Sequence, residues 1–490
     1  MIPMTLAEVA EAVGGRLHLS TGEELVAGTV EFDSRAVGKG GLFVALPGER
    51  VDGHDFAVSA HAAGAVGVLA ARPVEVPSVL VGEPGADVAA QGAAVLAALS
   101  ALAAEVARRL PALEIVGLTG SSGKTSTKDL VAAVLEPLGA TVAPPGSFNN
   151  EIGHPWTVLR ADRLTQHLVL ELAARGLGHI AAQCAVAQPR IGVVLNVGSA
   201  HLGEFGSPEV VAQAKGELVE ALPTAVRGGV AVLNADDPRV AAMAARTSAR
   251  VVTFGTEGNY AGNIRAGTTP DLLATDVWLD DAGRPGFRLT TPAGETEVGL
   301  QLVGAHQVSN ALAAAAVGLE LGADPDHVAD VLSAARPASR WRMEVTTRPD
   351  GVTVINDAYN ANPESMRAGL EALVAISGAD RRGWAVLGAM GELGDTAEAA
   401  HVGVGRLAAR LGVRHLVAVG APDYRAGYGE ESMVVPDVAA ALQLLHERLR
   451  PGDVVLVKAS RAVGLERVAA GLLAGTDEPG APADSTEGAQ

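Results

Sequence analysis

Short apolar runs alternate with longer helical stretches along this chain, and they do so in three series. In the first, strand-like runs at 28–32, 42–45, 66–69 and 78–81 precede a helical stretch at 87–110, a pattern that predicts a small α/β domain. The second begins at 113. Strands are expected at 113–118, 167–172, 190–197, 229–234 and 251–255, with helices between them and a polar, β-rich insert near 259–303. A helix at 310–321 closes that block, and a third series follows with strands at 352–356, 384–388, 415–419 and 453–457. The end of the chain, TDEPGAPADSTEGAQ, is acidic, rich in Pro and Gly and free of large apolar residues, so disorder is expected there. The expected division is 1–112, 113–338 and 339–475, three α/β domains, with a tail at 476–490.

The chemistry starts where the second series starts. Residues 113–126 read LEIVGLTGSSGKTS, an apolar strand running into a glycine-rich loop, Thr119-Gly120-Ser121-Ser122-Gly123-Lys124-Thr125. Gly120 and Gly123 let the backbone bend so that several N–H groups face one anion. Lys124 adds a point charge for the outer phosphates, and Thr125 sets a hydroxyl where Mg²⁺ sits in such loops. A helix expected at 128–138 points its N-terminus at the same place. A chance match in an unstructured loop lacks this strand-before, helix-after context. The usual loop has four residues between its glycines, which would need Gly at 118, where this chain has Leu118. The shorter form belongs to a subset of ATP users.

Composition narrows the classes. A length of 490 residues suits about three domains. Hydrophobic residues make up 48%, mostly Ala and Val, and aromatics only 3%, a balance suited to helices laid closely on parallel sheets. A formal net charge of −19 argues against nucleic-acid binding, which rewards a basic face. An anionic substrate must then be held by local positive groups. Cys184 is the lone cysteine, so no intrachain disulfide is possible, and it reads as a small core residue in a reducing cytoplasm. MIPMTLAEVAEAVGG lacks the basic start of a signal peptide, and no window of about 18 uncharged apolar residues is evident. A cytoplasmic protein without membrane insertion is expected.

Residues with chemical potential fall just after expected strands: Glu171, His201, Asn234 and Asp357. Ligands of open parallel sheets bind at those carboxyl ends. Taken alone, Glu171 is equally a solvated strand-end carboxylate, His201 a satisfied loop histidine, and Lys215 a lysine reaching for solvent from its helix at 208–222.

The combination is more specific. GSSGKT, Asn149-Asn150-Glu151, Glu171, His201, Lys215 and the NADD run at 234–237 resemble the Mur ligase family in order and spacing. The likeness continues through His306 and Asn310 in HQVSNALAAAA, Arg342 in SRWRMEV and Asp357 in NDAYNANPESM. It implies a UDP-sugar-binding N-terminal domain, a central P-loop ATPase-like domain and a Rossmann-like C-terminal domain, acting as a monomer. Lys124 and the loop from Thr119 to Thr125 would hold the ATP phosphates. Thr125 and Glu171 would bind one Mg²⁺, and His201 with a carbamylated Lys215 a second. Asn310 would contact adenine with His306 close by, and Arg342 and Asp357 would serve phosphate and ribose. Asn234 matches a position near the nucleotide. The catalytic set would be Lys124, His201 and Lys215.

Which substrates are implied follows from two further regions. FDSRAVGKGGLFVALPGERVDGHDF at 32–56 resembles the UDP-sugar domain of the later ligases of that family, making Ser34 and Arg35 candidates for the uridine nucleotide end. Backbone amides near residues 41–43 and 48 would assist. A turn after a strand is the plainer reading of DSR alone. In the third block, DAYNANP, LGAMGELG and KASR resemble the branch that adds D-alanyl-D-alanine to UDP-N-acetylmuramoyl-tripeptide through an acyl phosphate. Two positions depart from that pattern: Ala389 where an acidic residue is usual, and Ala173 where glycine is usual.

Overall fold

The computed structural model describes residues 1–48, 51–198, 202–259 and 269–474. His201 and the tail at 476–490 lie outside these residues. The chain forms two compact units. The first holds Met1–Trp278, Pro285–Gln301 and His306–Ser339, and so contains both the N-terminal and the central blocks; the second runs from Arg340, with the short pieces Leu279–Arg284 and Leu302–Ala305.

The N-terminal block carries a five-stranded sheet in the order Arg16–His18, Ser78–Leu80, Ala65–Ala70, Gly41–Val44, Val30–Glu31, parallel except for its first pair. The expected helix at 87–110 is Val88–Arg108, started by Asp87, whose carboxylate accepts the Ala90 N–H. By length and composition this helix is apolar enough to cross a membrane, although Gln91 and Ser100 interrupt its apolar run and Glu105 ends it. Its inner face of Val95, Leu99, Leu102 and Val106 instead packs into the core of the first unit.

The central sheet has nine strands, ordered Gly294–Gly299, Pro285–Thr291, Leu272–Leu279, Arg250–Thr256, Val230–Asn234, Ile191–Val194, Glu114–Thr119, His167–Glu171, Thr141–Val142. The β-rich stretch expected as an insert continues this sheet, with Pro285–Thr291 and Gly294–Gly299 as an antiparallel hairpin at its edge. The strands around Glu114–Thr119 are parallel and buried on both faces, which is why they read as unbroken apolar runs. Their register sets the site. Glu171 lies beside Leu118, Val194 beside both Thr119 and Leu233, so four strands end at one level.

The second unit repeats the logic with six strands, ordered Glu344–Thr347, Thr353–Asn356, Val454–Lys458, Gly383–Leu387, His415–Val419, Met433–Val435. Only the first pair is antiparallel. Cys184 is buried, and burial pushes its thiol up to about 12, as an inert core residue requires.

Candidate active site

The glycine-rich loop leaves Glu114–Thr119 and enters the helix Lys124–Leu135, four residues earlier than the sequence pattern places it. Thr125, Ser126 and Thr127 are indifferent helix formers, and the apolar pattern starts only after them. Gly123 has φ +81°, and a Cβ there would sit 2.5 Å from Asn310 Oδ1, so glycine is required twice over. Lys124 Nζ donates to Gly120 O at 2.8 Å, folding the side chain back over the loop.

Glu171 ends its strand with 1% of its surface exposed. Its carboxylate accepts from Thr125 Oγ1 at 3.0 Å, Ser147 Oγ at 2.9 Å and Asn149 Nδ2 at 2.6 Å. The loop threonine and the strand-end carboxylate, expected to share one ion, are thus in direct contact. Among the described residues no group of three His, Cys, Asp or Glu side chains is arranged to hold a metal. Mg²⁺ does not need one: it keeps several waters and takes one or two protein oxygens beside substrate phosphates. A buried carboxylate touching a hydroxyl at the end of a phosphate loop fits that demand.

Lys215 lies on the helix Pro208–Glu220, begun by Ser207, whose hydroxyl accepts the Val210 N–H, and is 5% exposed. Burial, with the Lys124 charge second, pushes its amine well below the ordinary lysine value. It does not reach for solvent. Asn310 is buried on the helix Gln307–Glu320, which His306 begins. Its Oδ1 accepts from Thr127 Oγ1 at 3.1 Å and its Nδ2 donates to Gln307 Oε1 at 2.8 Å, so its amide is engaged with the first turn of the loop helix.

Toward the N-terminal block, Asp33-Ser34-Arg35 is a turn after Val30–Glu31. Arg35 is exposed and forks onto Asp33 at 2.7 Å, while Ser34 is half-buried. Phe32, just before it, meets Phe148 at 6.4 Å and Trp156 at 6.1 Å between ring centres. Phe148 lies between Ser147 and Asn149, so one three-residue segment faces the turn with its ring and Glu171 with its polar neighbours.

In the second unit, Asp357 follows Thr353–Asn356. Its carboxylate accepts from Lys458 Nζ at 2.5 Å and from the Met343 N–H at 3.1 Å. Burial lowers the Lys458 amine while Asp357 pulls it back up. Arg342 lies over the Tyr359 ring at 4.1 Å, between Trp341 and Met343, both at positive φ. The quoted runs DAYNANP, LGAMGELG and KASR meet at Ser460: its N–H donates to Ala389 O at 3.0 Å, its hydroxyl to Ala361 O at 3.4 Å, and the Gly391 N–H donates to that hydroxyl at 2.7 Å.

Three family models match this chain: the catalytic domain of the Mur ligase family over 28–114, the Mur ligase middle domain over 118–318 and the Mur ligase glutamate ligase domain over 341–461. The UDP-N-acetylmuramoyl-tripeptide–D-alanyl-D-alanine ligase of Mycobacterium tuberculosis is 55% identical, covering 97% of this chain and 98% of that protein. The chain belongs to the Mur ligase family. The ligase of the same name from Escherichia coli is 35% identical over 96% of this chain and 99% of its own. MurF from Acinetobacter baumannii superposes with a TM-score of 0.83 at 30% identity, covering 96% of this chain and 99% of that one. MurF from Thermotoga maritima, solved in complex with ADP, gives 0.75 at 29% identity, with 91% and 97% covered. This Mur ligase has the three-domain α/β fold of its family.

Two polar residues of this Mur ligase escaped the sequence reading. Ser147 donates to Glu171, but nothing in PPGSFNN separates it from an ordinary turn serine. Asn196, after Ile191–Val194, accepts the N–H groups of both Ser121 and Ser122. An asparagine after a strand is the commonest of turn signals, so only the parallel register reveals where it points.

Proposed function

We propose that this protein joins D-alanyl-D-alanine to UDP-N-acetylmuramoyl-tripeptide, forming UDP-N-acetylmuramoyl-pentapeptide, ADP and phosphate. The observation that carries the reading is the contact of Thr125 with buried Glu171 beside the Lys124 loop. A carboxylate and an amine do not condense in water, because the carboxylate is a poor electrophile. Transfer of the ATP γ-phosphoryl group to the tripeptide carboxylate makes an acyl phosphate; the dipeptide amine then forms the new C–N bond, and phosphate leaves with the C–O electron pair. Lys124 and the loop amides balance the phosphate charge. Thr125 and Glu171 would hold one Mg²⁺, and His201 and Lys215 a second, and such ions supply charge neutralisation on the transferring group. Arg342 and Asp357 are assigned to phosphate and ribose, and Ser34 and Arg35 to the uridine end.

Lys215 takes part as a carbamate in this reading. An unprotonated amine adds to carbon dioxide, forming an N–C bond and releasing one proton, and burial favours that unprotonated form. The product is an anionic oxygen donor, whereas an ammonium would repel a cation. The enzyme works as a cytoplasmic monomer.

The test is ADP release with UDP-N-acetylmuramoyl-tripeptide and a panel of amines. D-alanyl-D-alanine is expected to be fastest. Asp357 is paired with Lys458 and the rest of the DAYNANP loop is uncharged, so a second ammonium or carboxylate left unpaired in a pocket for methyl groups costs several kcal/mol. Faster reaction with lysine or diaminopimelate would overturn the assignment.

A further inference from the structure

The pairing between Ile191–Val194 and Glu114–Thr119 continues past both strands. Leu195 N–H donates to Thr119 O at 2.9 Å and Ser121 N–H to Asn196 O at 3.1 Å. The Asn196 side chain then extends the pairing into the loop. Its Oδ1 accepts the N–H groups of Ser121 and Ser122, both at 2.9 Å, and its Nδ2 donates to Ser122 O at 3.2 Å. Gly198 N–H closes the arrangement on Ser121 Oγ at 2.8 Å.

The segment carrying Asn196 is itself held from the next strand. Asn234, ending Val230–Asn234, donates from Nδ2 to Leu195 O at 2.8 Å. Asp237 accepts the Val197 N–H at 2.7 Å through Oδ2, while its Oδ1 caps the following short helix. Asn234 is fixed in turn, its Oδ1 accepting the Asp236 N–H at 2.9 Å. The NADD turn therefore grips residues on both sides of Asn196.

We propose that Asn196 is a positioning residue for the nucleotide phosphates, holding the Ser121–Ser122 peptides against the sheet so that Gly123, Lys124 and Thr125 carry the phosphate contact, with Asn234 and Asp237 fixing Asn196 in place. Only two residues separate the loop glycines, and the N–H groups of both are committed to Asn196. A glycine-flanked peptide is free to rotate, and an anion site works best when its donors are fixed before the ligand arrives. The amide suits this role because one oxygen receives both N–H groups while the nitrogen fixes the Ser122 carbonyl. Neither Asn196 nor Asn234 needs to touch the ligand.

This inference rests on the loop being the nucleotide site, and the test separates the two. Binding of Mg²⁺–ADP to the full-length protein is measured by calorimetry, with the KM for each substrate measured alongside. Failure of the unaltered protein to bind ADP would remove the nucleotide reading and this inference with it. Given binding, Asn196→Ala should lose about tenfold in ADP affinity and raise the KM for ATP, leaving the KM for the other two substrates within about twofold. Asn234→Ala should weaken ADP in the same direction, and the double variant should be no worse than Asn196→Ala alone. Folded variants that bind ADP normally would overturn the proposal, as would a general rise in all three KM values or two losses that multiply. Should Asn196→Ala not fold, Asn234→Ala carries the test, since it frees Leu195 O beside Asn196 without adding a charge; ADP affinity must still fall there, and unchanged affinity overturns the proposal.

Discussion

Replacing Glu171 by glutamine should separate what the carboxylate does for the fold from what it does for the reaction. Glu171 is buried and accepts three hydrogen bonds, from Thr125, Ser147 and Asn149. Glutamine has the same shape. Its oxygen can keep Ser147 and Asn149, and its NH₂ can donate to Thr125, whose hydroxyl turns from donor to acceptor. Each bond falls from a charged to a neutral one, a loss of about 1 kcal/mol apiece. Relief of a buried charge offsets this, so Glu171→Gln should melt within a few degrees of the unaltered protein without nucleotide. Glu171→Ala leaves Thr125 and Asn149 their contacts to Ser147 Oγ at 3.3 and 3.0 Å but takes the acceptor from the Ser147 hydroxyl, a cost of roughly 1–3 kcal/mol, and should melt clearly lower. Turnover should behave differently. If the carboxylate holds Mg²⁺ on the phosphates, its charge contributes several kcal/mol at the transition state, and each 1.36 kcal/mol is about tenfold in rate. Glu171→Gln should therefore lose at least about 100-fold in ADP formation and need more Mg²⁺ for what remains. Activity within tenfold of the unaltered protein at saturating Mg²⁺ would refute the ion-binding role. A Gln variant as unstable as the Ala variant would refute the stability argument.

Lys124→Ala should abolish ADP formation while remaining folded without nucleotide, since its charged bond to Gly120 O contributes roughly 1.5–3 kcal/mol; full turnover in a folded variant would remove the phosphate-loop reading. Enzyme stripped of carbon dioxide should lose activity and regain it with bicarbonate, and ¹³C-bicarbonate should give a carbamate resonance absent from Lys215→Ala; activity indifferent to carbon dioxide would exclude the carbamate. Burial holds His154 down at about 4 against an ordinary 6.5, so between those values the unfolded chain binds the extra proton and stability falls as pH drops. At about 1.4 kcal/mol per unit, roughly 3 kcal/mol should be lost by pH 4, and His154→Phe should lose less in urea melts at pH 7 and 4.5; equal acid losses would assign the effect to other groups.

The legible parts of this chain were those whose physics is local. Strands buried on both faces produce apolar runs of visible length, and the loop between strand and helix carries its own glycines and lysine. Pieces such as Met4–Thr5 and Leu25–Val26, two residues each, are too short to leave a pattern. The burial of Lys215 was not legible, because its neighbours in the helix read the same whether that face meets solvent or the sheet. The Asp33–Arg35 pair is as local as contacts become, and there the plain turn reading matches the geometry. Asn196 lies 75 residues from Ser121, and only the strand order brings them together.

Strand order also gives the alanine-rich composition a purpose. The helix Gln307–Glu320 packs along Lys124–Leu135, and its residues Ala311 and Ala313–Ala316 are almost fully buried. Close approach is enforced at both ends. A Cβ on Gly318 would fall 2.4 Å from Val134 Cγ1, and at the other end Asn310 presses on Gly123. A larger side chain at Ala314, which shares a face with Asn310 and Gly318 at a spacing of four, would push the helices apart, because interiors at crystal-like packing density do not absorb an extra methylene without displacement. Displacement would withdraw Asn310 from Thr127 and from the glycine that starts the loop helix. The small residues therefore set the distance at which a buried amide braces the phosphate loop from one side while Asn196 grips it from the other.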